Sequence, residues 1–366
     1  MPAGSRPPRA TIYSVAELAG VSIATVSRVL QGEAGVAATT RDRVLAAVDG
    51  LGYVPLGAAR SLAVRHHEAH GLVLPELSGP YYAELLMGFE ARAAELGQSV
   101  ILVLADTKPN LPQAVRQLAA RVDGIAALGS TAMPPDVARV LHGTKPVVII
   151  AGDAQEGIDS IHGENRESAE VLTAHLLDHG RASLLFVGDP DLAPDIRDRH
   201  AGFVAAHLGR GMVARDPVPV DLREADGARF ADDFLAGTYE ADALVCANDE
   251  LALAIMSQLQ RGGIEVPGDV AVVGWDDVMT ARYVRPGLTT VRQPVRELGA
   301  LAADHLHDLV TGEPAKGRSH VLPTEVVLRA SCGCDHTETT PHRPNGPASG
   351  RGNQFWTGLP EDTHER

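Results

Sequence analysis

At 366 residues the chain is too long for one hydrophobic core, so two or three are expected; 45% of it is hydrophobic but only 4% aromatic, so those cores are rich in Ala, Val and Leu. Three cysteines do not make a disulfide framework, no apolar run reaches the about 18 residues of a membrane-spanning helix, and MPAGSRPPRA has basic residues without an apolar stretch, so no secretory signal is read and a cytoplasmic protein is expected. The net charge of −15 is the wrong sign for a nucleic-acid partner until it is divided: residues 1–66 carry seven arginines against four acidic residues, or +3, which leaves −18 on the rest.

The stretch TIYSVAELAGVSIATVSRVL, residues 11–30, predicts two short helices joined by a tight turn. Ser14 followed by Glu17 predicts a capping box that starts the first helix; Val15, Ala16, Leu18 and Ala19 give it an apolar face, and Gly20 ends it in the left-handed conformation. Ser22 caps the second helix, whose Val26, Val29 and Leu30 point inward while Ile23, Ala24, Thr25, Ser27 and Arg28 stay outside. A third amphipathic helix, with Val44, Leu45, Val48 and Leu51 on its apolar face, closes near Gly50 and Gly52, and Pro55 precedes LGAARSLAVRHH, compatible with one or two further turns. Such a helix-turn-helix offers the first side chains of its second helix to base edges and its amides to phosphate. A basic head on an acidic body would engage DNA locally and in a salt-dependent way.

Beyond the head the pattern changes to alternating strands and helices. GLVLP, SVILVL, GIAALG and PVVIIA predict buried parallel strands, and SLLFVGD, ADALVCA and DVAVVGW a second set. Two α/β lobes are expected, one spanning about 69–161 and 293–322, the other about 162–291 and 323–334, with VRELGALAADHLHDLV crossing back to the first. Ligands of such folds bind beyond the carboxyl ends of the strands. Asn248 and Asp249 in CANDE and Asp276 and Asp277 in GWDD follow strands there, and Arg199 in RDRHAGF opens a helix. Together these residue types satisfy the hydroxyls of a polyol. Singly, Asp249 and Asp277 are equally helix caps, and Arg199 has the alternative of a surface ion pair. No GxGxxG after a strand, P-loop, GxSxG or HExxH is present, and His162, His175, His179 and His200 are scattered, so no enzyme is expected. Cys332 and Cys334, with His336, read as free thiols rather than a soft-metal site, and no metal or cofactor is expected. The polar tail, 335–366, is expected to be disordered.

TIYSVAELAGVSIATVSRVL, TRDRVLAAVDGLGYVP and ARSLA together resemble, without gaps over about fifty residues, the headpiece and hinge of the LacI/GalR family of bacterial transcriptional regulators, with a weaker likeness as far as Ser331. The resemblance implies an all-α helix-turn-helix headpiece at 11–56, a hinge helix and linker at 57–68, and an α/β two-lobed, periplasmic-binding-protein-like effector and dimerisation domain at 69–334. It implies a ligand-responsive, sequence-specific repressor released by a sugar or sugar-like effector, the alternative being a corepressor-dependent regulator of the same fold. A solute-binding protein would have no use for residues 12–62.

By the same resemblance Ile23 and Ala24 face bases, reading thymine methyls without hydrogen bonds, and Arg28 contacts a guanine. Tyr13, Ser22, Thr25 and Ser27 meet phosphates, and Leu62 wedges the minor groove at the central CG of a pseudo-palindrome read by a homodimer or a tetramer. The effector pocket would draw on Arg199, Asn248 and Asp276, with Ser78, Tyr81 and Tyr82 of PELSGPYYAELL closing it from the other lobe, unless the tyrosines are core. Departures from the family pattern are Gly79 for Asn, Leu56 for Asn, Ala151 for an acidic residue, and Ala37 for a capping Ser or Thr, the last worth about 0.5–2 kcal/mol. Gly163, Leu222 and Val295 stand at positions that can supply stacking aromatics, so a hexose is not singled out from pentoses, polyols, phosphorylated sugars or nucleosides.

Overall fold

The computed structural model describes residues 10–30, 35–53, 66–129, 137, 141 and 144–334, and the backbone of 338–340. The hinge segment with Leu62, together with 335–337 and 341–366 of the tail, lies outside the described residues. The chain divides into two compact units, Met1–His67 and Glu68–Arg366.

The first unit contains α1 (Ile12–Ala19), α2 (Ile23–Leu30) and α3 (Ala38–Leu51). The cap of α1 differs from the sequence expectation. Thr11, not Ser14, is the N-cap: its hydroxyl accepts from the Ser14 N–H at 3.3 Å while Ser14 Oγ accepts from the Thr11 N–H at 2.9 Å. Two hydroxyls thus make the reciprocal box that the Ser14–Glu17 pairing was expected to make, and Glu17 is left exposed. Gly20 (φ 65°) and Gly52 (φ 57°) end α1 and α3 in the left-handed region. Ser22 Oγ accepts from the Thr25 N–H at 3.2 Å as the cap of α2, whereas Ala37 gives α3 no side-chain cap. The core is small: Val15, Ala16, Ala19, Val26, Val29, Val44 and Ala47. Leu18, Leu45 and Leu51 are exposed, against expectation, because helices this short enclose a narrow stripe that small side chains already fill.

In the second unit, β1 (Ala69–Leu74), β2 (Ser99–Leu104), β3 (Gly124–Leu128), β4 (Val147–Ile150) and β5 (Asp159–Gly163) alternate with α4 (Pro80–Glu95) and α5 (Leu111–Ala119). There follow α6 (Arg166–Asp178), β6 (Leu184–Val187), α7 (Pro194–Leu208), α8 (Glu224–Leu235), β7 (Ala243–Cys246), α9 (Asp249–Arg261), β8 (Ala271–Val273), α10 (Met279–Tyr283) and β9 (Thr290–Arg292). The last described elements are α11 (Val295–Thr311), β10 (Ser319–Leu322), β11 (Glu325–Leu328), a 3-10 turn (Ala330–Cys332) and β12 (Glu338–Thr340). One wholly parallel sheet has the order β10-β5-β4-β3-β1-β2; a second, parallel, is β6-β7-β8; and β11 pairs antiparallel with β9 and β12. β1, β3 and β4 are buried end to end, as strands covered by helices on both faces must be.

Two cores result. One gathers Leu72, Phe89, Ile125, Ile149 and Leu306, the other Phe186, Phe203, Leu244, Ile255 and Trp275. The chain passes between the lobes three times, and two passages are bonded together. Glu164, after β5, accepts from the Glu167 and Ser168 N–H groups at 2.6 and 2.9 Å, and Thr324, before β11, donates its hydroxyl to the Glu164 carbonyl at 3.0 Å.

α11 packs against α4 on the first lobe at closest backbone approach. A Cβ at Gly88 would overlap the Arg296 carbonyl, and one at Gly299 the Leu85 carbonyl. Arg92–Asp304 (2.6 Å) and Arg296–Glu84 (3.0 Å) flank the contact. Gly88→Ala must push two helices apart and is expected to cost about 1–3 kcal/mol. It should lower the urea midpoint at unchanged m-value; an unchanged midpoint would contradict the contact.

Candidate functional site

The head presents one continuous face. Ile23, Ala24, Ser27 and Arg28 are spaced to lie together on α2; Ile23, Ala24 and Arg28 are exposed and Ser27 is half-buried. Tyr13 on α1 is 69% exposed. Ser22 and Thr25 are engaged with each other through their hydroxyls at 2.9 Å, which fixes the start of α2, where the first amides have no acceptor within the helix.

In the second unit the strands of both lobes end at a common cleft. Arg199, near the start of α7, is only 6% exposed. Its Nε donates to Asn165 Oδ1 at 2.8 Å and Nη1 to the Ala247 carbonyl at 2.6 Å; Nη2 lies 3.8 Å from Asp195, and the guanidinium sits 4.6 Å over the Trp275 ring. The sequence alternative of a surface ion pair is therefore wrong for Arg199. Asp276, just after β8 with φ 120°, accepts from Gln293 Nε2 at 2.7 Å. A non-glycine residue at positive φ stores strain of a kind concentrated at functional sites. Burial lifts Asp276 to about 6 although Arg199 and Gln293 pull the other way, and burial likewise raises Asp195.

From the first lobe, Tyr81 and Tyr82 of α4 are half-buried, with their rings edge to face at 5.6 Å. Burial, then Asp195 and Asp276, push the Tyr81 hydroxyl well above its ordinary range, and burial, then Glu76, push Tyr82 up to about 12. They pack on their own core and stand in the field of the opposite lobe's acids. At the rims, Arg197 donates to both Asp153 oxygens at 3.1 Å and Arg223 to Asp106 at 2.9 Å, each pair linking the lobes.

Other expected residues lie differently. Ser78 is exposed on its loop. Asn248 caps α9: Oδ1 accepts from the Leu251 N–H at 3.0 Å and Nδ2 donates to the Leu222 carbonyl at 3.1 Å. Asp249 caps no helix of its own; fully buried, it accepts from Thr290 Oγ1 at 2.6 Å and the Val278 N–H at 2.9 Å, and burial raises it to about 8. Asp277 holds Arg329, Arg292 and Arg282 at 2.5, 2.8 and 3.4 Å, a structural role.

Sequence reasoning missed Asn165, Asp195, Trp275 and Gln293. One signal was available, since Asp195 is one helical turn before Arg199. Trp275 Nε1 and Gln293 Oε1 are buried with no hydrogen-bond partner among the described residues. A buried donor and acceptor left this way are uncommon, and here both stand next to the Arg199–Asp276 cluster. Donors (Arg199, Trp275, the tyrosine hydroxyls) and acceptors (Asp195, Asp276, Gln293) converge from both lobes, as hydroxyl-rich recognition requires.

A helix-turn-helix head joined to a two-lobed α/β body with a polar interlobe cleft defines a DNA-binding, ligand-responsive regulator. Residues 11–55 match the bacterial regulatory proteins, lacI family, and residues 173–332 the periplasmic binding protein-like domain. The chain is 31% identical over 331 residues to the HTH-type transcriptional repressor PurR of Photobacterium profundum, covering 88% of this chain and 98% of that protein. It is 29% identical to the HTH-type transcriptional regulator GalR of Escherichia coli, covering 91% and 98%. Its fold matches a Lac repressor dimer bound to operator and the anti-inducer ONPF with a TM-score of 0.79 at 28% identity, over 88% of this chain and 99% of that one. The chain belongs to the LacI family of bacterial transcriptional regulators. Among the described residues no single helix is long and apolar enough to cross a membrane.

Asp276 gives the cleft a measurable pH signature. The carboxyl, near 3.9 when unfolded, sits at about 6 in the fold, so its ionisation opposes folding fully above 6, and the cost disappears as pH falls from 6 towards about 4. Asn tolerates the positive φ. Asp276→Asn is expected to raise the Tm of the unliganded protein at about pH 8 and to change it much less at about pH 5. A Tm difference independent of pH would contradict this.

Proposed function

We propose that the protein is a cytoplasmic homodimeric repressor whose paired α2 helices read a pseudo-palindromic operator and whose cleft takes a sugar-like effector. The observation that carries the effector reading is the polar cluster of buried Arg199 and Asp195 with half-buried Asp276, beside which Trp275 Nε1 and Gln293 Oε1 have no hydrogen-bond partner among the described residues. A CelR transcriptional regulator solved with cellobiose, 29% identical with a TM-score of 0.67, supports a sugar in this fold. Arg199 covers a face of the buried Trp275, so this ring is not free to stack on a sugar, and recognition rests on hydrogen bonds more than on stacking.

Ile23 and Ala24 meet thymine methyls, Arg28 a guanine, and Tyr13, Ser22, Thr25 and Ser27 the phosphates, with Leu62 wedging the central CG step. The exposed interlobe pairs Arg197–Asp153 and Arg223–Asp106 are individually weak, so a ligand held by both lobes decides their closure. Closure then repositions the dimer's first lobes and the hinges, and the effector leaves unchanged, with no catalysis assigned. Coupling of about 1–3 kcal/mol changes operator affinity by about 5–150-fold.

Two substitutions separate the halves of this reading. Arg28→Ala is expected to cost about 1–3 kcal/mol and to relax preference at one base in each half-site; uniform weakening across sequences would assign Arg28 to phosphate. Arg199→Lys keeps the charge but loses the planar fork. It should leave unliganded operator affinity within about twofold and raise the effector concentration for half-maximal response at least about tenfold. Strong loss of unliganded DNA binding would instead make Arg199 structural.

A further inference from the structure

Four side chains outside the cleft converge on the far end of α6. His175, in its last turn, and His179, its C-cap, are four residues apart and so on one helical face, with ring centroids 4.3 Å apart. The 3-10 turn Ala330–Cys332 ends at Gly333 in the left-handed region, φ 110°, and this reversal presents Cys332 and Cys334 to the same face. His175 Nε2 lies 3.4 Å from Cys332 Sγ and 3.5 Å from Cys334 Sγ, and His179 Nε2 lies 3.6 Å from Cys334 Sγ. The ligand atoms of His175, Cys332 and Cys334 all fall within 4.8 Å of one another.

Without a metal, Nε2–H groups of the two imidazoles can donate to the sulfurs, but the same atoms also stand where metal ligands would. Here His175 Nε2 faces both sulfurs and Cys334 Sγ faces both imidazoles, so three groups share one centre and His179 stands at its edge, next to Cys334. Bonds of about 2.3 Å to sulfur and about 2.05 Å to nitrogen at the tetrahedral angle place S and N about 3.6 Å apart. The three observed separations match that edge.

We propose that His175, Cys332 and Cys334 hold a Zn²⁺ ion, with the exposed His179 beside Cys334 turning in as the fourth, tetrahedral ligand, and that the site fastens the end of the effector body to α6. Two thiolates and two imidazoles are a borderline-soft donor set that selects Zn²⁺, and four protein ligands make the site structural. The Cys332 thiol also lies 3.1 Å from the Arg329 carbonyl, which receives its proton when no metal is bound. The other His-rich cluster, Asp159 with His305 and His320, is different: Asp159 is already bonded to the Lys316 and Arg318 N–H groups and to His305.

The test uses untagged, full-length protein loaded with Zn²⁺ and dialysed, with metal counted by plasma mass spectrometry and affinity measured against a chromogenic chelator. One Zn²⁺ per protomer is expected, retained in Cys246→Ser, whose thiol is buried elsewhere, and lost in His179→Ala and Cys334→Ser. Both of those sites are at least partly exposed, so folding should survive, and circular dichroism checks this. Each loss of a ligand should weaken Zn²⁺ at least about a hundredfold, the upper end of what even outer-shell changes cost. Co²⁺ in place of Zn²⁺ should give a sulfur-to-cobalt charge-transfer band and intense tetrahedral d–d absorption, absent in Cys334→Ser. Wild-type protein that retains no Zn²⁺, or His179→Ala and Cys334→Ser that retain as much as Cys246→Ser, would overturn the site.

Discussion

A guanidinium taken out of water must be surrounded by acceptors, and the interior of the effector body is arranged around meeting that requirement for Arg199. Asn165 at the start of α6, the Ala247 carbonyl after β7, Asp195 on α7 and the Trp275 face after β8 each supply one side of its environment. These groups come from four different elements of the second lobe, so holding Arg199 also fixes how those elements end. The acids nearby then inherit raised pKa values, because burial outweighs what a single cation returns to them. A cluster so rich in carboxylates, with polar atoms that have no partner among the described residues, is poor for stability, which is the kind of cost a binding site carries.

On the proposed reading, transmission from that cluster rests on the passages between the lobes. Gln293, next to β9, bonds Asp276 directly, while Glu164 and Thr324 tie the other two passages to each other and to the start of α6. A ligand that draws Tyr81 and Tyr82 towards Asp276 therefore pulls on chain segments that both lobes share. The first lobe can respond as a body because α11 and α4 meet backbone to backbone at Gly88 and Gly299, a contact with no slack for sliding.

The head and the alternating α/β body were legible in the sequence because their signals are local: Gly20 and Gly52 after apolar stripes, and continuous apolar runs where strands are covered on both faces. The errors were also local in kind. Thr11 and Ser14 form a box that a search for a Ser-x-x-Glu pattern overlooks, and counting Leu18, Leu45 and Leu51 as core ignored how little room three short helices enclose. Arg199 and Asp276 could be picked out by motif, but Asn165 and Gln293 join them only through tertiary contacts at separations of 34 and 17 residues. The His175–Cys332 pairing, 157 residues apart, was invisible for the same reason, so that scattered histidines and a terminal CGC looked unrelated.

The account turns on the cleft and the operator being coupled. The direct measurement is operator affinity at one stated salt concentration, on a sequence selected from random DNA by the purified protein, across a panel of sugars, polyols, sugar phosphates and nucleosides. The account predicts that one chemical class, bound in the cleft by calorimetry, changes operator affinity by about 5–150-fold. Identical operator affinity at saturation with a ligand shown to bind there would contradict it.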